Sequence, residues 1–571
     1  MLKKYFLFAL LAILPFISSG HAQNDTLTEL KIQLPWTHSS QFTGFYIAQI
    51  RKHFEKEGLK VKLIEGGPNM SAITELQEGR VDIAISGLVS AWKGSTEDHQ
   101  VTNVAQIISG SGLVVVCRIS SGVYGPKDII GKKIGIFDGG DRSIVEDMLH
   151  EFSIPLKSVE LIKQKPGGID LVNKNVACVT AMLFDQYLQI IEKGVSYSDL
   201  IVINPSSVGV PALLDGVYVN TSQLQSPEFR KNLVGFIRAL REGWKETRIA
   251  PTLSLEAVRS VSNNFEREHE LRSLETMLTL IPSDPKQFGL LDLKAYEEES
   301  ARYLKQSNGS FIPPNIWTHQ IWNTLENEDG VFHPFTIATK FYVEHISHLI
   351  LFKILVYFGV FTYALSGVLE AIQRNYDLWG RVILAFLSGI GGGTIRDLII
   401  GVDRMPFYYV KDYHYPLGII IVVILTSVTV GFYPNAYKSE VFKKVKKYSD
   451  VFGFSALATA GAIISISADM PWFWVPALAA LTCAGGGMLR DIVINQEPMT
   501  FKGVIYEEAA VIGGIFIVAG LILSNNYEHS SIPVYLTIFS GMALIVFLRL
   551  IVYHFGLRYP SFLGGSHESS H

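Results

Sequence analysis

"LSGIGGGTIRDLIIG", residues 387–401, sets three successive glycines and an adjacent Arg396–Asp397 pair inside a strongly apolar stretch. A second copy, "GGGMLRDIVIN", begins at Gly485, 94 residues after Gly391. Glycine in a helix interior costs about 1 kcal/mol relative to alanine. A charge at mid-bilayer costs at least about 2.5–3.5 kcal/mol. Both copies lie in a region that reads as seven apolar segments, at about 349–371, 380–400, 416–434, 451–468, 473–494, 507–524 and 532–554. Each is near the roughly 20 residues needed to cross a bilayer as a helix. Each motif falls in the second segment of a group of three, so the region reads as two three-helix repeats plus one extra helix. Three crossings return the chain to the opposite side, so the second repeat runs inverted to the first, about a pseudo-two-fold axis in the membrane plane.

Loop charge orients the bundle. The loop after the third span carries Lys438, Lys443, Lys444, Lys446 and Lys447, whereas the loops near 469–472 and 525–531 hold no Lys or Arg. By the positive-inside rule the lysine loop and the C-terminal tail, 557–571, are cytoplasmic. Arg404 and Lys411 are a mild exception on the other side. Triple glycines predict a helix break or sharp bend, with freed carbonyls tolerated only beside protein or a hydrated cavity. The expected pore and hinge set is Gly391, Gly392, Gly393, Arg396 and Asp397 with Gly485, Gly486, Gly487, Arg490 and Asp491. The competing reading is close helix packing through small residues; duplication in register favours the pore, and the two roles can coexist. The duplicated GGG-x-x-R-D pattern, with "ALSGVLEAI" in the first span, resembles the bacterial relatives of the trimeric intracellular cation (TRIC) channels, a family also described as glycine transporters. That resemblance covers about 350–556. It implies seven spans, glycine-hinged second and fifth helices, a pore within each protomer and a homotrimer, with potassium, glycine or another small solute as the permeant.

The rest of the chain is different in kind. The whole has 571 residues, 18 % of them charged, a net charge of −4 and a mean hydropathy of +0.26. Residues up to about 345 are charge-rich and water-soluble in character. No basic patch with interleaved aromatics suggests nucleic acid. "MLKKYFLFALLAILPFISSGHAQ" reads as a signal peptide, residues 1–22, cleaved after Ala22, with an uncleaved anchor as the other reading. Cys117 and Cys178 either pair in an oxidising periplasm or are two core thiols; Cys483 reads as packing. No metal-ligand spacing occurs, and no cofactor is expected.

From about 28 to 325, strands such as "LKIQLPW", "LKVKLIEGG", "VDIAISG", "KKIGIF" and "ACVTAML" alternate with helical stretches. This argues an α/β domain with a mostly parallel sheet. Ligands of such sheets sit at the carboxyl ends of the strands, here the loops "PWTHSSQ", "EGGPN", "SGLVS" and "FDGGDRS". Four longer segments, "PWTHSSQFTGFYIAQIRKHFEKEGLKVKLIEGG", "LQEGRVDIAISG", "DIIGKKIGIFDGG" and "ACVTAMLFDQYLQIIEKG", resemble the periplasmic binding proteins for thiamine-pyrimidine precursors, riboflavin, alkanesulfonates and taurine. The resemblance implies two α/β lobes of the type 2 periplasmic-binding fold closing on a small molecule. Trp36, Phe45, Phe184 and Tyr187 are candidates to stack a flat heterocycle, at about 0.5–1.5 kcal/mol per aromatic contact beyond burial. The competing reading puts most of them in the core. Gln41, Ser86 and Asp138 are candidate hydrogen-bonding groups, Gly67 allows close backbone approach, and "GGDRS" opens a helix whose N-terminus suits an anionic or polar group. An enzyme shares this resemblance, the eukaryotic pyrimidine synthase of thiamine biosynthesis, but its cysteine-rich iron-binding motif has no counterpart here, and a binder is expected. Residues 23–325 are thus the binding domain, 326–347 the linker and 348–556 the seven-helix membrane domain. The expected function is an inner-membrane transporter or channel whose periplasmic domain captures a small organic solute and delivers it to the pore. The alternatives are a ligand-gated channel with the domain as sensor, and a membrane-anchored receptor. No GxxxxGK[ST] loop is present, so the chain carries no ATPase of that type.

Overall fold

The computed structural model describes residues 27–557 except 68–69, 97, 138–139, 211, 307–314, 329–333, 402–403, 435–438, 502–504 and 506. The signal-peptide reading, the tail beyond 557, Lys438 and Asp138 lie outside the described residues. The chain divides into two compact units, residues 1–317 and 318–571.

Among its described residues the first unit contains ten strands: β1 Thr28–Gln33, β2 Leu59–Ile64, β3 Ile83–Ser86, β4 Val101–Gln106, β5 Leu113–Arg118, β6 Lys133–Ile136, β7 Glu160–Lys163, β8 Cys178–Met182, β9 Leu200–Ile203 and β10 Gly216–Asn220. They form two five-stranded sheets, ordered β2-β1-β3-β10-β4 and β7-β6-β8-β5-β9. The chain therefore builds one lobe, crosses to the other between β4 and β5, and returns at β10. Both sheets are mixed rather than mostly parallel. β10 runs antiparallel to β3 and β4, and β5 antiparallel to β8 and β9, because these strands belong to the crossings between lobes. Near-continuous apolar runs such as Leu113–Cys117, all buried, suit strands covered on both faces. Cys117 and Cys178 stand opposite one another on β5 and β8 and are joined as a disulfide.

Helices of this unit that shape the site are α1 Thr43–Ile50, α2 Gly140–Glu151, α3 Gln186–Glu192, α4 Pro227–Ile249 and α5 Arg267–Leu280. The unit ends with Ile316 and Trp317 held against β4. The Ile316 carbonyl accepts from the Asn103 N–H at 2.8 Å, and Trp317 is buried.

The second unit begins one residue later, and Thr318 is fixed within it, its hydroxyl donating to Glu528 Oε2 at 2.8 Å. A helix, Gln320–Glu328, and α6 Ile337–His348 precede the bundle. Asn525 ties this segment down: its Oδ1 accepts from the Thr336 N–H (3.1 Å) and the Thr339 hydroxyl (2.8 Å), and its Nδ2 donates to the Pro334 carbonyl (2.6 Å). The described part of 326–347 is thus largely helical and belongs to the membrane unit.

The bundle comprises α7 Ile350–Gln373, α8 Leu378–Ile400, α9 His414–Phe432, α10 Glu440–Ser467, α11 Val475–Val493, α12 Glu508–Ser524 and α13 Ile532–Phe555. Six are long and apolar enough to cross a membrane; α12 has 17 residues. At 1.5 Å per residue it spans about 26 Å, slightly short of the roughly 30 Å hydrocarbon core.

The expected breaks are not there: α8 and α11 run helical through both glycine triplets. The glycines serve a crossing instead. A Cβ on Gly392 would come closer than 3.0 Å to the Leu481 and Thr482 carbonyl oxygens, and one on Gly486 equally close to those of Leu387 and Ser388. These contacts exchange under the 94-residue offset, the signature of an isologous two-fold interface. Gly391 and Gly485 repeat the exchange against Gly486 and Gly392. A second crossing obeys the same rule, with Gly359 of α7 against Gly453 of α10. Within each repeat, Gly367 meets Leu384 and Ser388, and Gly461 meets Ala479 and Thr482. Carbonyls remain in their helical ladders, and the helices approach as close as backbones allow.

Gly392→Ala and Gly486→Ala are each expected to destabilise the bundle by about 1–3 kcal/mol through overpacking against main chain. Gly487→Ala, whose Cβ meets nothing within 4 Å, is expected to be neutral or stabilising. Thermal melts in detergent distinguish them; equal effects at all three would refute the crossing role.

Candidate functional site

The cleft between the lobes of the first unit lies at the carboxyl ends of the strands. It is a cavity of about 240 Å³. Pro35, Trp36 and Gln41 follow β1; Gly87–Ser90 follow β3; Phe137 and Asp141 follow β6; Phe184, Asp185 and Gln186 follow β8; Ala212–Asp215 precede β10; and Glu299 comes from the helix Leu293–Gln306. Trp36 meets Phe137 edge-on, with centroids 6.2 Å apart.

Of the residues expected from sequence, the structure brings Trp36, Gln41 and Phe184 together in this cleft. Phe45 is instead core, 1 % exposed, its ring against Phe42 and Phe236, because α1 turns that face onto α4. Tyr187 points into the second lobe's core and meets Tyr197 edge-on. Ser86 is buried at the end of β3, its hydroxyl directed to the Gly87 carbonyl. Gly67 does not line the cavity.

Sequence reading missed the acidic groups. Asp141 sits in the first turn of α2 and accepts from the Thr180 hydroxyl at 2.7 Å. Asp215 accepts from Gln41 Nε2 at 2.7 Å, and Glu299 from the Leu213 N–H at 2.9 Å. Burial pushes Asp141 and Asp215 up to about 6 and Glu299 up to about 8. Asp185 is also raised by burial. Asp141 lies in the loop "FDGGDRS" and was legible as a loop carboxylate, and Asp185 follows the strand "ACVTAML" directly. Asp215 and Glu299 reach the cleft only through the return strand and a distant helix.

On the far side of Trp36 and Asp185 the cleft opens toward α5. There His269 Nδ1 lies 2.9 Å from Glu192 of α3, while Glu270 accepts from the Ser40 N–H at 2.8 Å. α5 thus touches both lobes.

In the membrane unit the two Arg-Asp motifs have matching geometry. Arg396 Nε and Nη2 both donate to Asp397 Oδ1, at 2.9 and 2.7 Å, with both residues almost fully buried. Arg490 Nε and Nη2 reach Asp491 Oδ1 at 2.8 and 2.6 Å, and Nη1 reaches Ser366 Oγ at 3.3 Å. The third glycines differ. Over Gly393 lies the Tyr408 ring, which also faces the Arg396 guanidinium at 5.9 Å. Gly487 borders a polar cavity of about 100 Å³, lined by Ser366, Asp450, Arg490, Asp491, Thr500 and Glu507 among others.

The chain therefore joins a two-lobed α/β unit with a cleft between its lobes to a duplicated membrane helix bundle. Residues 39–253 match the family described as NMT1/THI5 like, and residues 353–433 and 447–521 the family described as Glycine transporter. The bundle is 29 % identical over 203 residues to the UPF0126 membrane protein YvgT of Bacillus subtilis, covering 36 % of this chain and 92 % of that one. The first unit is 23 % identical over 282 residues to a provisionally named thiamine biosynthesis protein of Haemophilus influenzae, covering 49 % and 87 %. The TRIC trimeric intracellular cation channel orthologue from Rhodobacter sphaeroides is similar at 23 % identity, covering 37 % of this chain and all of that one, with a TM-score of 0.31.

Because the three carboxyls are raised, the folded unliganded domain holds protons that the unfolded chain has released. Their stabilising effect is complete below pH 4 and is lost as pH rises to about 6 for the aspartates and about 8 for Glu299. The melting temperature of the first unit is expected to fall between pH 5 and 8. Asp215→Asn should recover about 2–3 kcal/mol of that loss, read from melts across pH; an unchanged pH slope would count against it.

Proposed function

We propose that this chain is a membrane permeation protein of the bacterial inner membrane whose first unit, outside the membrane, binds a small organic solute and controls or supplies passage through the second. The observation that carries this reading is the union in one chain of a two-lobed α/β unit holding a cleft with a helix bundle in which six helices are long and apolar enough to cross a membrane. The polar cavity beside Gly487 and the Arg490–Asp491 pair on its wall, with Asp491 buried and Arg490 partly so, support a permeation role for the bundle, since ionisable groups within apolar membrane helices mark pathways more often than anchors. Helix hinging at the glycines is no longer part of the mechanism. The C-terminus on the cytoplasmic side and assembly as a homotrimer, each protomer with its own path, complete the proposal.

In delivery, the bound solute itself passes through the bundle, and holding it nearby at roughly millimolar effective concentration favours entry. A second reading has the binding unit as sensor and a different, smaller species as permeant. One observation favours it: the cleft holds about 240 Å³ and the cavity in the bundle about 100 Å³. The ligand would then act by preferring one of two states of the protein. The first unit is read as a binder rather than an enzyme, since the chain has three cysteines in all, two of them in a disulfide.

Liposome flux separates these. Uptake of a labelled ligand of the cleft supports delivery; ligand-dependent flux of potassium or glycine supports sensing; no flux of any of them overturns permeation. Gly487→Leu, which fills the cavity without touching the glycine crossing, is expected to cut flux more than tenfold while ligand binding and melting temperature stay within error. Undiminished flux in that variant would remove this cavity from the path.

A further inference from the structure

We propose that the interlobe cleft takes an organic cation, a single flat ring or compact body bearing a protonated amine or amidine, and excludes sulfonates, phosphates and carboxylates. This rests on the binder reading above and specifies its ligand. Four acidic side chains line the cavity, Asp141, Asp185, Asp215 and Glu299, and among the described residues that line it there is no Lys, Arg or His. Three of the four have neutral hydrogen-bonding partners: the Thr180 hydroxyl, the Gln41 amide and the Leu213 N–H. Asp185 has His269 at 3.7 Å, on the far side. Arg302, one turn beyond Glu299, pairs with Asp147 at 3.4 Å and also attracts the Glu299 carboxyl. At pH 7 Glu299, pushed up to about 8, holds its proton in the empty cleft, so the negative charge that the wall leaves uncancelled is that of Asp141 and Asp215.

Buried carboxylates without a counter-charge are costly, and a ligand that brings a positive group relieves that cost on binding. An anion adds like charge in a poorly screened space. The aromatic walls agree: Trp36, Phe137 and Phe184 present ring surface that holds a flat body and attracts a cation over a ring face. The helix N-terminus at "GGDRS", which from sequence suited an anionic group, is already occupied by the carboxylate of Asp141 in its own first turn.

The test uses the full chain in lipid nanodiscs, titrated calorimetrically at pH 7 with three single-ring probes: benzamidine, benzyl alcohol and benzenesulfonate. Benzamidine is expected to bind at least tenfold tighter than benzyl alcohol, with no detectable heat from benzenesulfonate. Asp215→Asn and Asp141→Asn, measured separately, should each weaken benzamidine about tenfold and leave benzyl alcohol unchanged; the neutral probe reports that the cleft is intact. Benzenesulfonate binding as tightly as benzamidine, or benzamidine affinity untouched in both variants, overturns the charge assignment and leaves the binder reading standing. Silence toward all three probes overturns the proposal, and if a neutral aminopyrimidine is silent too, the binder reading falls with it.

Discussion

The membrane unit depends on one steric fact: at the crossing of α8 and α11 there is no room for a Cβ. Gly392 lies on the carbonyls of Leu481 and Thr482, and Gly486 on those of Leu387 and Ser388. Where apolar side chains gain little by leaving lipid for one another, close backbone approach is a main source of helix affinity. The second crossing, Gly359 against Gly453, supports the same axis. Around these two points the other helices arrange themselves. The clusters containing Ala364, Phe454 and Ala510 on one side and Ile463, Val475 and Ile517 on another fill the space the crossings leave.

The two units handle buried charge in opposite ways. In the bundle Asp397 and Asp491 are each neutralised by the arginine before it, through two donors on one oxygen, so each pair is carried among the helices as a nearly neutral group. In the cleft, Asp141, Asp215 and Glu299 are held by neutral donors and keep an appetite for protons or positive charge. The first arrangement is built to persist; the second is built to be completed by something from outside. Both use the same residue types, and only the partner differs.

Much of this was legible in the sequence for physical reasons. Apolar runs of the right length gave the spans, and the offset between Gly391 and Gly485 gave the duplication, because a repeat that packs on itself must keep the same small residues in both copies. The α/β class followed from the alternation of strands and helices and the two lobes from the resemblance to periplasmic binding proteins, but not the antiparallel strands, which arise where the chain changes lobes. The glycines were read as weak points of a helix, and the structure uses them as points of closest contact; propensity is a local property and packing overrode it. In the cleft, Trp36 and Phe184 stood in loops after strands and were visible, whereas Phe45 looks the same in sequence and lies in the core. Asp215 and Glu299 carried no local sign, since it is the return of β10 and the helix Leu293–Gln306 that bring them there.

Where the copies stop matching is as informative as where they agree. Tyr408 roofs the recess over Gly393, while the corresponding recess at Gly487 stays hollow and lined with polar groups. A perfectly symmetrical duplicate inserted upside down would present identical faces to the two compartments and could not tell them apart. One tyrosine, filling one of two twin hollows, is enough to give such a molecule a front and a back.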